Sequence, residues 1–217
     1  MKTITKNDRW LVLSPGRTGS VVLSNTILEV YRANNLSLKF LWTDLDKIKE
    51  APNGSLVHCH AEPFPFSTDM YCILNVRDPI DITFSQLIRP YIGRWHLHKR
   101  HLNDVKITPF HLNPLDFFNQ YTETLRWYRN IPKDFLQVAQ IINYENYSKD
   151  PLRLVPKLLE IPELDEENFK RADEINLVKN PGPHKSWISN WDLIDQIIKS
   201  IEKENKEFFQ SLLTKTL

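Results

Sequence analysis

The sequence is poor in glycine, with 5 residues among 217, which is about 2% where roughly 7% is usual. It is also poor in cysteine. Cys59 and Cys72 are too few for a disulfide framework, so we expect both to be reduced and buried in strands. No apolar run reaches the roughly 18 residues that a membrane span requires, and the N-terminus lacks the apolar core of a secretion signal. These absences predict a cytoplasmic protein with no membrane span.

A strong charge of one sign is absent as well. Lys and Arg number 28 and Asp and Glu number 27, which gives a formal net charge of +1. A protein that binds nucleic acid mainly through its phosphates normally carries a clear basic excess, so we expect no nucleic-acid partner. The length fits a single domain spanning residues 1–217 with its own core, and leaves the oligomeric state open.

Short β-rich runs alternate with helical runs along the chain. Strands are predicted at 10–14, 37–42, 56–60, 71–76 and 135–143. Helices are predicted at 19–32, from Pro79 onward, and at 115–128, 151–160 and 191–213. The His-rich and basic stretch 89–114 is predicted to be irregular. This alternation favours a single three-layer α/β domain with a mainly parallel central sheet flanked by helices.

Two of the five glycines, Gly16 and Gly19, fall in one four-residue window directly after the first predicted strand. Backbone N–H groups at such a helix N-terminus favour a phosphate or a sulfate. Arg17 adds a guanidinium there, while Thr18 and Ser20 add hydroxyl donors. The window therefore predicts an anion site, with an ordinary strand-to-helix turn as the alternative.

This glycine window does not match the two commonest nucleotide loops. A Walker A loop needs a Lys after its second glycine, and no Lys follows Gly19. The dinucleotide fingerprint needs a third glycine, which is also missing. A magnesium-dependent ATP reaction is therefore poorly supported.

Four segments, 14–20, 58–60, 76–85 and 142–159, together resemble the PAPS-dependent sulfotransferases, where PAPS is 3′-phosphoadenosine 5′-phosphosulfate. The resemblance implies a P-loop-like fold and transfer of a sulfonate from PAPS to a hydroxyl or amine, releasing PAP, the 3′,5′-bisphosphate. The acceptor is unidentified and is expected among small molecules, lipids or carbohydrates. No metal is expected.

The resemblance implies a set of donor-binding residues. The 5′-phosphosulfate loop is expected to include a helix-capping Ser20, and Arg77 and Ser85 are expected to bind the 3′-phosphate. Tyr144 is expected near the adenine, and Lys185 is a further candidate for the 3′-phosphate. The expected loop residues are Pro15, Gly16, Arg17, Thr18, Gly19 and Ser20.

The resemblance also implies catalytic residues. Arg17 would neutralise charge on the leaving phosphate, and His60 aligns with the base that takes the proton of the acceptor. Glu62 is a rival base, and the choice between the two stays open at this point. His58 is an alternative contact for the sulfonate.

Alternatives remain for the function and for the stretch 89–114. A nucleotide-dependent kinase on a related P-loop fold and a non-catalytic PAP- or PAPS-binding module are the competing functions. The stretch 89–114 reads as a solvated loop, as a zinc site at His96, His98 and His101, or as an acceptor lid. In the lid reading, Arg94 and Lys99 favour an anionic or sugar-containing acceptor.

Overall fold

A computed structural model describes residues 2–42, 48–60, 69–96, 109–170 and 187–213. For the helical residues 89–96, 202–206, 208–210 and 213 it describes the backbone only. The chain forms two compact units, the first drawn mainly from residues 1–77 and 130–176 and the second from 78–129 and 177–214. The prediction of one domain over 1–217 stays a prediction.

The first unit contains a five-stranded sheet in which every pairing is parallel and the strand order is β2-β3-β1-β4-β5. Four helices lie wholly within the described part of this unit, and residues 166–170 are helical as well. The α/β class with a parallel sheet flanked by helices is therefore confirmed. The strands are β1 (Arg9–Leu13), β2 (Lys39–Trp42), β3 (Ser55–Cys59), β4 (Tyr71–Val76) and β5 (Gln140–Asn143). The helices are α1 (Ser20–Ala33), α4 (Lys133–Val138), α5 (Tyr144–Tyr147) and α6 (Pro151–Leu159).

One face of the sheet packs against α1 and α6 and forms the core of the first unit. Alternate strand residues supply it, because side chains of a strand point to opposite faces with a period of two. Towards the carboxyl ends of β3 and β4, the same face carries polar residues, His58 and Asn75, which are fully buried. Polar side chains at these depths require partners, and they find them next to the loop that follows β1. The buried core comprises Trp10, Val12, Leu23, Ile27, Val30, Tyr31, Leu56, Ile73, Ile142, Tyr147, Val155, Leu159 and Ile161.

The second unit is helical and contains α2 (Pro79–His96), α3 (Pro114–Arg129) and α7 (Trp191–Leu213). Its core is aromatic and aliphatic, with the ring of Phe84 lying 5.1 Å from Phe117 and 5.5 Å from Trp191, centroid to centroid. As predicted from the Asp-Pro pair, α2 begins at Pro79, and the Asp78 carboxylate accepts a hydrogen bond from the Ile80 amide at 2.8 Å.

Two expectations about secondary structure are wrong. Residues 133–138 are helical, and only the second part of the predicted strand 135–143 is a strand. A short apolar run does not separate a strand from a helix by its periodicity, and here the exposed Val138 and the buried Phe135 belong to a helical turn. Residues 89–96 are helical rather than irregular, because α2 continues to His96 through Pro90. The expectation that both cysteines are buried strand residues is confirmed.

No helix among the described residues is both long enough and apolar enough to cross a bilayer.

Candidate functional site

The candidate site lies at the carboxyl ends of the central strands. Strand β1 leads towards β2 on one side of the sheet, whereas its neighbour β4 leads to β5 on the other. Adjacent parallel strands whose connections depart in opposite directions leave a crevice, where ligands of open α/β sheets bind. The segment 14–19, here called the anion loop, follows β1, and Arg77 follows β4. Two elements of the predicted site therefore meet at this crevice.

The anion loop contains two residues in the left-handed backbone region, Arg17 with φ of 71° and Gly19 with φ of 76°. Gly19 occupies the N-cap position of α1, and its carbonyl accepts hydrogen bonds from the amides of Val22 at 2.9 Å and Leu23 at 3.2 Å. The N-cap makes no side-chain hydrogen bond, so the expected capping of the helix by the Ser20 hydroxyl is wrong. Ser20 is the first residue of α1 instead.

Three consecutive carbonyls of the anion loop are held by side chains of the protein. Arg77 Nη1 donates to the Arg17 carbonyl at 3.2 Å, and Asn75 Nδ2 donates to the Thr18 carbonyl at 2.9 Å. The Tyr147 hydroxyl donates to the Gly19 carbonyl at 3.3 Å. In a trans peptide the N–H points away from the C=O, so the amides that follow these carbonyls face away from their partners. The loop thus presents its N–H side opposite the protein interior, as an anion site requires.

Tyr144 lies directly over Gly19. A Cβ atom at Gly19 would collide with the Tyr144 ring, so only glycine fits at this approach. The guanidinium of Arg77 lies over the same ring, 4.6 Å from the ring centroid. Arg77 is buried, with 4% of its surface exposed. Tyr144 therefore joins Arg77 to the anion loop, which brings together one of the residues expected at the 3′-phosphate and the residue expected near the adenine.

Replacing Gly19 by alanine is expected to disrupt the loop, because alanine meets both an unfavourable φ, costing about 1–2 kcal/mol, and the Tyr144 ring. The expected result is a lower thermal midpoint and weaker anion binding. The double variant Gly19→Ala/Tyr144→Ala removes the collision but leaves the φ, so it should recover part of the thermal midpoint. A single variant as stable as the wild type would contradict this description of the loop.

His58 is buried among hydroxyls and aromatic rings. Its Nε2 lies 2.9 Å from Ser20 Oγ and its Nδ1 lies 3.4 Å from Ser24 Oγ, both on α1. Burial, and to a lesser degree the nearby His60, lowers the pKa of His58 to about 3. The ring is therefore neutral at neutral pH. This placement favours a structural role, orienting the first turn of α1, over contact with a sulfonate.

His60 has a defined tautomer because of its backbone partner. Its Nδ1 lies 3.0 Å from the carbonyl oxygen of Ser14, which accepts only, so Nδ1 carries the proton and Nε2 carries the lone pair. Burial lowers the pKa of His60, the Ser14 carbonyl opposes that effect, and Arg17 lowers the pKa further. The half-buried ring is therefore a neutral hydrogen-bond acceptor at neutral pH, which is what a general base requires.

Trp42 lies beside both histidines at the end of the edge strand β2. Its ring stacks on His58 with centroids 4.5 Å apart and 28° between planes, and it meets His60 edge-on at 5.1 Å. It is 60% exposed, which leaves much of a large apolar side chain open to solvent next to the candidate base. The sequence analysis missed this residue.

The remaining predicted residues fall elsewhere or outside the described chain. Ser85 is half-buried in the second turn of α2, in the second unit, so its pairing with Arg77 stays a prediction. Glu62 and Lys185 lie outside the described residues, as do the side chains of the proposed zinc ligands and those of Arg94 and Lys99 in the proposed acceptor lid. Within the described ranges no group of three His, Cys, Asp or Glu side chains is arranged to hold a metal ion.

Asn75 and Tyr147 also escaped the sequence analysis, although one signal was available. Asn75 interrupts an otherwise apolar strand run, Tyr71 to Val76, and a buried carboxamide in such a run requires hydrogen-bond partners. Tyr147 gave no comparable signal, because a tyrosine on a short helix is equally common in a core.

No protein-family model matches the sequence, and a search of curated proteins gives no match. Among solved structures, the chain is similar to the crystal structure of mouse sulfotransferase SULT7A1 complexed with PAP. The two chains share 15% sequence identity, with 95% of this chain and 90% of the mouse chain covered and a TM-score of 0.47.

Proposed function

We propose that the protein is a PAPS-dependent sulfotransferase. The observation that best supports this is the anion loop at the β1–β4 crevice, whose carbonyls at 17, 18 and 19 are turned to protein donors. The buried guanidinium of Arg77 lies at the same place, donating to the Arg17 carbonyl at 3.2 Å. A phosphosulfate at the loop and a second phosphate near Arg77 account for both features, whereas a nucleotide with only a 5′-phosphate accounts for the loop alone.

The proposed donor contacts combine this arrangement with the sequence resemblance. The amides of the anion loop and the Arg17 guanidinium bind the 5′-phosphosulfate, and Arg77 with Ser85 binds the 3′-phosphate. Tyr144 lies against the adenine, and Lys185 is proposed at the 3′-phosphate. These residues fit the donor because each charged oxygen group meets cations or N–H donors.

The proposed reaction transfers the sulfonate in line. The bond from sulfur to the bridging oxygen of the 5′-phosphate breaks, a bond from sulfur to the acceptor oxygen or nitrogen forms, and the acceptor proton passes to His60 Nε2. The loose transition state places growing charge on the leaving phosphate, where Arg17 and the loop amides stabilise it. His60 suits the base because its other nitrogen is fixed on the Ser14 carbonyl at 3.0 Å. The acceptor is a hydroxyl or amine compound, with an anionic or sugar-containing one favoured by the basic stretch 89–114.

A titration of the purified protein tests the proposal. PAP is expected to bind at least tenfold more tightly than AMP, because only PAP carries the 3′-phosphate that Arg77 would bind. The measurement is isothermal calorimetry of both ligands, followed by transfer of labelled sulfonate from PAPS to an acceptor panel.

The same experiments have outcomes that would contradict the proposal. Equal affinity for PAP and AMP would remove the 3′-phosphate assignment, and magnesium-dependent ATP binding stronger than PAP binding would favour the kinase. PAP binding with no transfer to any acceptor and no effect of His60 variants on any measured property would favour a binding module.

A further inference from the structure

We propose that Asn75 and Tyr147 are positioning residues that hold the anion loop in the shape that binds the donor. The inference rests on the proposed function, because the ligand served is the phosphosulfate end of PAPS. The resemblance assigns neither residue a role, and both are fully buried. Their side chains reach two consecutive carbonyls of the loop, those of Thr18 and Gly19.

Asn75 uses every polar atom of its side chain. The two hydrogens of Nδ2 go to the Thr18 carbonyl at 2.9 Å and to Thr18 Oγ1 at 3.1 Å. Its Oδ1 accepts from the Tyr147 hydroxyl at 3.2 Å. A carboxamide offers two donors on one side and an acceptor on the other, a combination that leucine and aspartate of similar size both lack. The requirement for asparagine therefore arises from the loop and from Tyr147 together.

The Tyr147 hydroxyl lies between two oxygens that only accept, Asn75 Oδ1 and the Gly19 carbonyl at 3.3 Å, so it shares its proton between them. Burial keeps the pKa of this phenol well above its ordinary value, and the proton stays in place at physiological pH. Tyr147 lies three residues after Tyr144, whose ring covers Gly19. One hydroxyl thus ties α5, β4 and the anion loop into a single network.

The network stabilises the orientation of two peptides of the anion loop. When the Thr18 and Gly19 carbonyls are held by Asn75 and Tyr147, the amides of Gly19 and Ser20 point away from these donors. Without Asn75 the peptide that follows Thr18 loses this donor and can rotate, and a carbonyl oxygen turned towards the ligand repels an anion. The Gly19 carbonyl keeps the amides of Val22 and Leu23 as donors, so Tyr147 reinforces that orientation and, through its bond to Oδ1, holds Asn75 in place. Loss of either side chain is therefore expected to weaken anion binding more than it weakens folding.

Two variants test the network by calorimetric titration with PAP. Tyr147→Phe removes one donor and is expected to weaken PAP binding about tenfold. Asn75→Asp sets a carboxylate against the Thr18 carbonyl and is expected to weaken binding on the order of 100-fold at pH 8. Its deficit relative to the wild type at the same pH should shrink as the pH falls to about 5.5, because a buried carboxyl protonates readily and then donates again.

Tyr31→Phe is the matched control. Tyr31 is equally buried, and its hydroxyl accepts from Trp10 Nε1 at 2.9 Å and donates to Asp8, next to the amino end of β1. Its loss should lower the thermal midpoint about as much as Tyr147→Phe does, while the dissociation constant for PAP stays within about twofold of the wild type.

The outcomes separate the two proposals. A wild-type protein that does not bind PAP overturns the proposed function and this inference with it. A wild-type protein that binds PAP, with Tyr147→Phe and Asn75→Asp binding equally well, overturns the inference alone. It is also overturned if Tyr31→Phe weakens binding as much as Tyr147→Phe, or if the deficit of Asn75→Asp does not depend on pH.

Discussion

Replacing Arg17 by alanine is expected to lower kcat/KM for sulfonate transfer by about a thousandfold or more, because the guanidinium is proposed to stabilise charge that grows on the leaving phosphate. The effect should fall mainly on kcat, since the loop amides and Arg77 still bind the donor. Single-turnover transfer from labelled PAPS measures it, with a PAP titration to follow binding separately. Arg17→Lys keeps the charge but not the planar fork and should lose less activity. Turnover near the wild-type rate in Arg17→Ala would contradict the proposed catalytic role of Arg17.

The backbone of Arg17 offers a second variant that separates function from stability. With φ of 71°, this arginine lies in a region that costs a non-glycine residue about 1–2 kcal/mol. Glycine accepts that conformation, at an entropic cost of roughly 0.5–1 kcal/mol in the unfolded chain. Arg17→Gly is therefore expected to be at least as stable as the wild type in thermal unfolding, yet as inactive as Arg17→Ala. This combination of results would separate the proposed role of the side chain at the ligand from any role in folding.

The sequence is sufficient to predict the parallel sheet and most helices because their patterns are strong and local. The apolar residues of β1 are consecutive and those of α1 recur at helical spacing, and both sets are buried as expected. The segment 133–143 is ambiguous for a physical reason. Its apolar run is short, and whether Phe135 packs from a helical turn or from a strand depends on neighbours that are distant in sequence.

The candidate site is predictable where one residue carries one role. Arg77 after β4 and His60 after β3 follow from strand ends, and both lie at the carboxyl edge of the sheet. Contacts that join distant segments do not follow from local patterns. Asn75 contacts Thr18 across 57 positions of the sequence, and Tyr147 contacts Asn75 across 72. Neither contact therefore produces a periodic pattern in the sequence.

The N-cap of α1 shows that local sequence patterns can also fail for contacts near each other in the sequence. A serine at the start of a helix is a good predicted cap, yet the hydroxyl of Ser20 pairs with His58 of β3 and Gly19 takes the cap position. Local propensity is overridden here because a buried histidine needs a partner. The missed residues are therefore those that form hydrogen bonds with buried polar groups. A polar residue within an otherwise apolar strand indicates that such a contact is present.

Replacing His60 by asparagine is expected to lower kcat by about 10²- to 10⁴-fold while leaving the dissociation constant for PAP nearly unchanged. Asparagine can keep a donor near the Ser14 carbonyl, now 3.0 Å from His60 Nδ1, but it cannot take the acceptor proton. The loss should therefore be chemical rather than structural. The readout is single-turnover transfer, with a thermal midpoint close to that of the wild type as the check on folding.

The pH profile identifies the base. Burial first, and then Arg17, lower the pKa of His60 against the opposing Ser14 carbonyl, so the wild-type acidic limb of kcat/KM should have its midpoint below 6.5. Activity falls below that midpoint because protonated His60 cannot accept a proton, and it is constant above it. His60→Asn should abolish this limb, and Arg17→Ala should move it to higher pH in the residual activity. A limb that persists in His60→Asn and disappears in Glu62→Gln would instead make Glu62 the base, since the limb belongs to whichever group takes the proton.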